Sequence, residues 1–121
     1  MAYILIVDDD EDFASTAAIV LRKEGHDVEI ELSPDDAEKS MEAKTPDLVV
    51  LDLMMPNVDG FAVLDELKSD EDLRDLPVVV VTAKDLTAQE RERLAGQVKM
   101  LLQKGSMIDE DFLKDLVERL D

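Results

Sequence analysis

Short apolar stretches alternate with amphipathic ones along this chain, and the two patterns predict strands and helices. Four stretches are apolar without alternation, which is typical of parallel strands covered on both faces. They comprise residues 3–7, 48–51, 78–81 and 98–102. A fifth stretch, 28–32, alternates apolar with acidic residues and predicts an edge strand with one face in water.

The segments between these strands carry helical signals. Apolar residues recur at helical spacing, and several segments begin with a capping residue or end with a glycine. In chain order the signals are Phe13, Ala17, Val20 and Leu21 before Gly25; Ser33 and Pro34 opening a helix to about Lys44; Phe61, Leu64 and Leu67; a capping box of Thr87 and Glu90 before 88–95; and Phe112, Leu116, Val117 and Leu120.

Five strands alternating with five helices predict a doubly wound parallel sheet with right-handed crossovers, an α/β fold. The 121 residues fit one domain, 1–121, and need no second one. Ligands of such sheets bind at the carboxyl ends of the strands. The candidate chemistry is therefore expected at that edge.

Charge excludes several classes of partner. The chain has 13 Lys and Arg residues against 31 Asp and Glu, a net charge of -18. This excess repels nucleic acid and anionic lipid, so neither is expected as a direct partner.

Cysteine is absent, no apolar run approaches the roughly 18 residues of a membrane span, and the first residues lack a signal peptide's basic region. A cytoplasmic protein is expected.

Polar residues follow four of the predicted strands. Asp8 and Asp9 follow the first, Asp52 the third, Thr82 ends the fourth and Lys104 follows the fifth. In a parallel sheet these positions share one edge, so three carboxylates, a hydroxyl and an ammonium are expected to converge. Each has an ordinary alternative role, such as a helix cap or a solvated strand end. Their joint placement favours a site.

The adjacent carboxylates of Asp8 and Asp9 repel each other, and a divalent cation would relieve that repulsion. Oxygen ligands without thiolates favour Mg²⁺. Beside such an ion the Asp52 carboxylate is a candidate nucleophile toward a phosphoryl group, with Lys104 neutralising charge and Thr82 donating a hydrogen bond. His26 is the only histidine and is expected at the surface.

These residues and their surroundings resemble the response regulator receiver domain of two-component signalling over essentially the whole chain. The resemblance is carried by the acidic pair, by LDLMMPNVDG around Asp52, by VVVVTA and by the strand-five lysine. It implies a flavodoxin-like fold with strand order 2-1-3-4-5. It also implies that Pro56 and Gly60 shape the loop after Asp52.

The resemblance assigns a role to each candidate residue. Asp52 is similar to the phosphoacceptor, and Asp9, Asp52 and the Met54 carbonyl to the Mg²⁺ ligands, with Asp8 acting mainly through a bound water. Thr82 resembles the switch hydroxyl, and Lys104 the residue that pairs with the acceptor and then with the phosphoryl group.

The implied function is a phosphoaccepting switch in a phosphorelay. A sensor histidine kinase or a phosphotransfer protein would donate the phosphoryl group, and a downstream protein of unknown identity would respond. The chain would not turn over other substrates; autodephosphorylation is the hydrolysis that the resemblance allows. It would be either a stand-alone receiver or part of a larger protein.

Two positions depart from the family pattern. The lysine is followed by Gly105, where the family usually has proline, and Leu101 stands where an aromatic residue is frequent. A cis bond after Lys104 would cost about 2.5–4 kcal/mol without proline. The sequence around Lys104, residues 102–106, resembles that of receivers attached to hybrid sensor kinases.

Two other functions compete with the switch. A phosphorylation-independent interaction module could keep the same fold, although it would not need a mutually repelling acid cluster. A haloacid-dehalogenase-like phosphatase would use an aspartyl nucleophile with a second Asp two residues later, where this chain has Met54. Without that general acid, multiple turnover on small phosphoesters is not expected.

Overall fold

The computed structural model describes residues 2–53, 60–82, 86–98 and 100–103, which form alternating strands and helices. The strands are β1 (Tyr3–Val7), β2 (Asp27–Glu31), β3 (Leu48–Leu51), β4 (Val78–Thr82) and β5 (Met100–Gln103). The helices in this part of the chain are α1 (Glu11–Lys23), α2 (Pro34–Ala43), α3 (Gly60–Ser69) and α4 (Ala88–Ala95).

The strands form one parallel sheet in the order β2-β1-β3-β4-β5. This arrangement confirms the predicted doubly wound α/β class and the strand order that the resemblance implied. The predicted fifth helix, with Phe112 and Leu116 on its inner face, lies outside the described residues.

The sheet separates two apolar layers, because successive side chains of a strand point to opposite faces. Ile4 and Ile6 of β1 pack with Leu21 of α1 on one face. Leu5 and Val7 belong to the other layer, which includes residues of α2, α3 and α4. The sheet is thus packed between helices on both faces.

The predicted last strand, 98–102, begins too early. The backbone N–H of Val98 donates to the carbonyl of Leu94 at 3.0 Å, and that of Gln97 donates to the same carbonyl at 2.9 Å. These bonds continue the turn that ends α4, so pairing with β4 starts only at Met100, which lies opposite Val79. At the opposite edge, β2 starts at Asp27, whose N–H donates to the Ala2 carbonyl at 3.0 Å.

Local capping signals agree with the observed helix ends. Ser33 caps α2 and accepts the N–H of Asp36, while Thr87 and Glu90 form the predicted capping box of α4. Gly25 has φ 93°, the left-handed conformation expected after α1. Among the described helices, none has the length and apolar character needed to cross a membrane.

His26 is half-buried and not simply a surface residue. Its Nδ1 accepts the backbone N–H of Ala2 at 3.0 Å. The imidazole therefore ties the start of the chain to the turn before β2, a tertiary contact between residues 24 positions apart that no local pattern shows.

Candidate functional site

The site begins with the register between β1 and β3. Val7 lies opposite Leu51, so Asp8 and Asp52 are the next residues along two neighbouring strands. The N–H of Asp52 donates to the Val7 carbonyl at 3.0 Å, and the N–H of Asp8 donates to the Glu31 carbonyl at 3.1 Å. These bonds extend the ladder past the strand ends and hold both aspartates at the same edge.

Three carboxylates meet at this edge, as predicted. One oxygen from each of Asp8, Asp9 and Asp52 lies within 4.8 Å of the others. Asp8 is 1% exposed and Asp52 3%, whereas Asp9 is exposed. Bringing three like charges together with two of them buried is costly, and a divalent cation with oxygen ligands would offset that cost. The cluster could therefore hold a metal ion.

Asp10, and not Asp8 or Asp9, is the cap of α1. Its carboxylate accepts the N–H of Phe13 at 3.1 Å. Asp8 Oδ1 accepts the N–H of Asp10 at 2.9 Å, which fixes the turn between β1 and the helix. The exposed carboxylate of Asp9 therefore has no capping role to explain its place in the cluster.

Thr82 is the last residue of β4 and is 1% exposed. Its strand neighbours β3, where Val80 lies opposite Leu51, so the hydroxyl belongs to the same edge of the sheet as the acid cluster. Leu101 of β5 is half-buried against the core on the side of α2, α3 and α4. The aliphatic side chain of Leu101 thus takes a packed position.

Four other predictions concern positions outside the described residues. These positions are Met54, Pro56, Lys104 and Gly105. The metal-ligand role of the Met54 carbonyl, the charge-neutralising role of Lys104 and the geometry of the bond after it therefore stay predictions.

Gly60 has a role that the loop motif alone did not specify. It is the first residue of α3, and a Cβ built on it would lie 2.5 Å from Leu53 Cα. Such a separation is far below normal carbon contact, so only glycine fits. Because Leu53 directly follows Asp52, this contact sets the path of the chain leaving the acid cluster.

The chain belongs to the response regulator receiver domain family, whose model matches residues 4–118. Receiver domains are signalling domains of two-component systems, and the fold and the acidic cluster agree with this membership.

Curated relatives show the same family. The chain is 40% identical over 83 residues to the DNA-binding dual master transcriptional regulator RpaA of Synechocystis sp., covering 69% of this chain and 34% of RpaA. It is 40% identical over 93 residues to the response regulator MprA of Mycolicibacterium vanbaalenii, covering 77% of this chain and 38% of MprA. The chain thus spans little more than a third of the length of these relatives.

Solved structures match over nearly the whole chain. The N-terminal domain of a response regulator receiver protein from Methanoculleus marisnigri JR1 is 29% identical, with a TM-score of 0.81 and coverage of 98% of this chain and 95% of that one. The receiver domain of a signal transduction histidine kinase from Syntrophus aciditrophicus is 28% identical, with a TM-score of 0.84 and coverage of 99% and 89%.

Proposed function

We propose that Asp52 is the phosphoryl acceptor of a two-component phosphorelay, and that Asp8 and Asp9 form its metal-binding partners. The observation that carries this proposal is the convergence of the three carboxylates within 4.8 Å at the carboxyl edge of the sheet. Membership of the receiver family supports it. The donor is a phosphohistidine of a sensor histidine kinase or of a phosphotransfer protein.

The transfer exchanges one bond to phosphorus for another. A carboxylate oxygen of Asp52 attacks the phosphorus of the phosphohistidine, and the P–N bond breaks. The imidazole leaves with the electron pair of that bond, and Asp52 becomes an acyl phosphate. The register of β1 and β3 positions Asp52 before the donor arrives, so little reorganisation of the backbone is needed.

The carboxylates of Asp8, Asp9 and Asp52 suit Mg²⁺, which prefers oxygen ligands. Asp9, Asp52 and the Met54 carbonyl would hold the ion, and Asp8 would act through a water. When bound, the ion supplies positive charge that offsets the charge of the phosphoryl oxygens. The Lys104 ammonium contributes a second positive charge, and the Thr82 hydroxyl donates a hydrogen bond to a phosphoryl oxygen.

Phosphorylation then changes the protein through local charge. An added phosphoryl group attracts Thr82 and Lys104 and thereby alters the surface near β4 and β5. A downstream protein reads this change, and hydrolysis of the acyl phosphate by the domain itself resets it.

The proposed switch is a cytoplasmic protein, with a single domain over 1–121 that has five strands and five helices.

Acetyl phosphate provides the test, because it can phosphorylate the domain without a kinase. Incubation with Mg²⁺ is expected to add one phosphoryl group, seen by intact mass. The adduct should survive acid, be lost in base and fail to form in EDTA. Continuous phosphate release from small esters would instead favour a phosphatase. Absence of both the adduct and turnover would leave the phosphorylation-independent interaction module.

A metal-binding prediction can be tested separately from phosphorylation. Mg²⁺ at about ten times its Kd is expected to stabilise the wild type by about 1.4 kcal/mol, because it binds only the folded cluster. Asp9→Asn should remove most of this stabilisation, because it replaces a charged carboxylate of the cluster by a neutral amide. Asp9 is the exposed member of the cluster, so the substitution leaves the core intact. Thermal unfolding with and without Mg²⁺ measures the effect.

The matched control for Asp9→Asn is Asp10→Asn. It removes the same charge one residue away, and asparagine caps helices as well as aspartate does. This variant should keep the Mg²⁺ response of the wild type. An equal loss of response in both variants would mean that general negative charge, and not the three-carboxylate cluster, attracts the ion.

A further inference from the structure

A cavity of about 60 Å³ lies between α2 and α3, on the sheet face opposite α1. Its floor is formed by side chains of β1 and β3, and its walls by apolar side chains of the two helices. A space of this size holds roughly four or five water-sized spheres, close to the four carbons of a leucine side chain. The apolar members of the lining are Val7, Val49, Leu51, Pro34, Ala37, Met41, Val63, Leu67 and Leu73.

The mouth of this cavity is acidic. Asp35 and Glu38 of α2 line it on one side, and Glu66 of α3 and Asp70 on the other. All four side chains are exposed, and no basic residue is among the lining residues that the structure describes. An apolar pit surrounded by carboxylates differs from an ordinary solvated helix face, where charge surrounds no apolar opening.

We propose that this α2–α3 cleft docks a basic segment of a partner protein, which inserts one leucine-sized aliphatic side chain between lysines or arginines. The aliphatic side chain would exclude water from the cavity, and the flanking cations would face the carboxylates at its mouth. Charge complementarity selects this occupant, because an acidic or neutral segment would gain nothing from the four carboxylates.

The cleft is separate from the acid cluster, but the same two strands, β1 and β3, contribute to both. Asp8, Asp9 and Asp52 do not line it, whereas Val7 and Leu51 do, and each directly precedes one of the clustered aspartates. A partner docked there would sit beside the strand tips without covering the metal ligands. Docking does not require phosphorylation of Asp52, so it can be tested on the unmodified protein.

Three capped tripeptides test the proposal: acetyl-Lys-Leu-Lys-amide, its Lys-Ala-Lys analogue and its Glu-Leu-Glu analogue. Methyl NMR is expected to show saturable shifts at Ala37, Met41 and Val63 with the first peptide only. The alanine analogue lacks the inserted side chain, and the acidic analogue is repelled at the mouth. Equal shifts with all three peptides, or no saturable shift with the first, would overturn the proposal.

Two variants of the protein locate the interaction. The double variant Glu38→Gln, Glu66→Gln should weaken binding of the basic peptide about three- to tenfold, since each exposed ion pair contributes modestly. Its control, Glu42→Gln with Glu71→Gln, removes two exposed acids that do not line the cavity and should bind as the wild type does. The same weakening in both double variants would contradict a specific cleft.

A cavity-filling variant addresses the apolar component. Val63 is half-buried at the wall of the cavity, and Val63→Phe would replace its isopropyl group by a larger aromatic ring. The methyl shifts of Ala37 and Met41 on addition of the basic peptide should then disappear, while thermal unfolding reports whether the variant is folded. Unchanged binding by a folded Val63→Phe protein would show that the cavity is not the docking site.

Discussion

Asp52→Asn is expected to abolish phosphoryl adduct formation with acetyl phosphate. The substitution replaces the nucleophilic carboxylate by an amide of nearly the same shape, so the attacking oxygen loses its charge while the packing is kept. It also removes one of three carboxylates that lie within 4.8 Å of one another. We therefore expect the variant to unfold in EDTA at the wild-type temperature or above it. Intact mass and thermal unfolding measure the two effects.

Asp10→Asn is again the matched control for Asp52→Asn, because it changes an exposed carboxylate near the cluster and preserves the α1 cap. It should become phosphorylated as the wild type does. A full adduct on the Asp52→Asn variant would show that another side chain accepts the phosphoryl group. An unfolded variant would mean that the Asp52 carboxylate is needed for the fold itself, which circular dichroism would reveal.

Gly60→Ala is expected to lower the free energy of unfolding by about 1–3 kcal/mol, the usual cost of overpacking. The new Cβ would lie 2.5 Å from Leu53 Cα and 2.9 Å from the Leu53 carbonyl oxygen. Because both contacts involve backbone, no side-chain rotation can relieve them. The segment after Asp52 must shift, so the rate of adduct formation should also fall.

Gly96→Ala is the control for Gly60→Ala. Gly96 ends α4 with φ −94°, and a Cβ there would meet nothing within 4 Å. Alanine can adopt this conformation, so the variant should be neutral or more stable by about 0.4–1 kcal/mol. Urea unfolding of the three proteins measures the differences. Equal stability of Gly60→Ala and wild type would contradict the close approach of α3 to Leu53.

The elements that the sequence predicted best are those determined by local physics. The continuous apolar run of β1 and the helical spacing in α1 identify core positions without any tertiary information. The capping box of Thr87 and Glu90 lies within four residues and was correctly predicted. The start of β5 was wrong because the carbonyl of Leu94 accepts the N–H of Val98, which a hydrophobic pattern does not reveal.

The candidate site divides in the same way. Chain order and the rule for parallel sheets were enough to bring Asp8, Asp9 and Asp52 to one edge. The structure assigns the α1 cap to Asp10, which leaves Asp8 and Asp9 to the cluster. The acidic mouth of the α2–α3 cleft was missed because its residues come from two helices separated in the chain.

By itself, the sequence determined the class of fold, the core faces and the identity of the acidic residues, because periodicity, capping and charge are properties of neighbouring positions. Tertiary structure alone decided how near the three carboxylates lie to one another. It also decided that α3 packs too close to Leu53 for any residue but glycine at position 60, and that an apolar cavity opens between acidic side chains of α2 and α3. These features depend on the register and packing of elements that are distant in the chain, which short-range patterns do not encode.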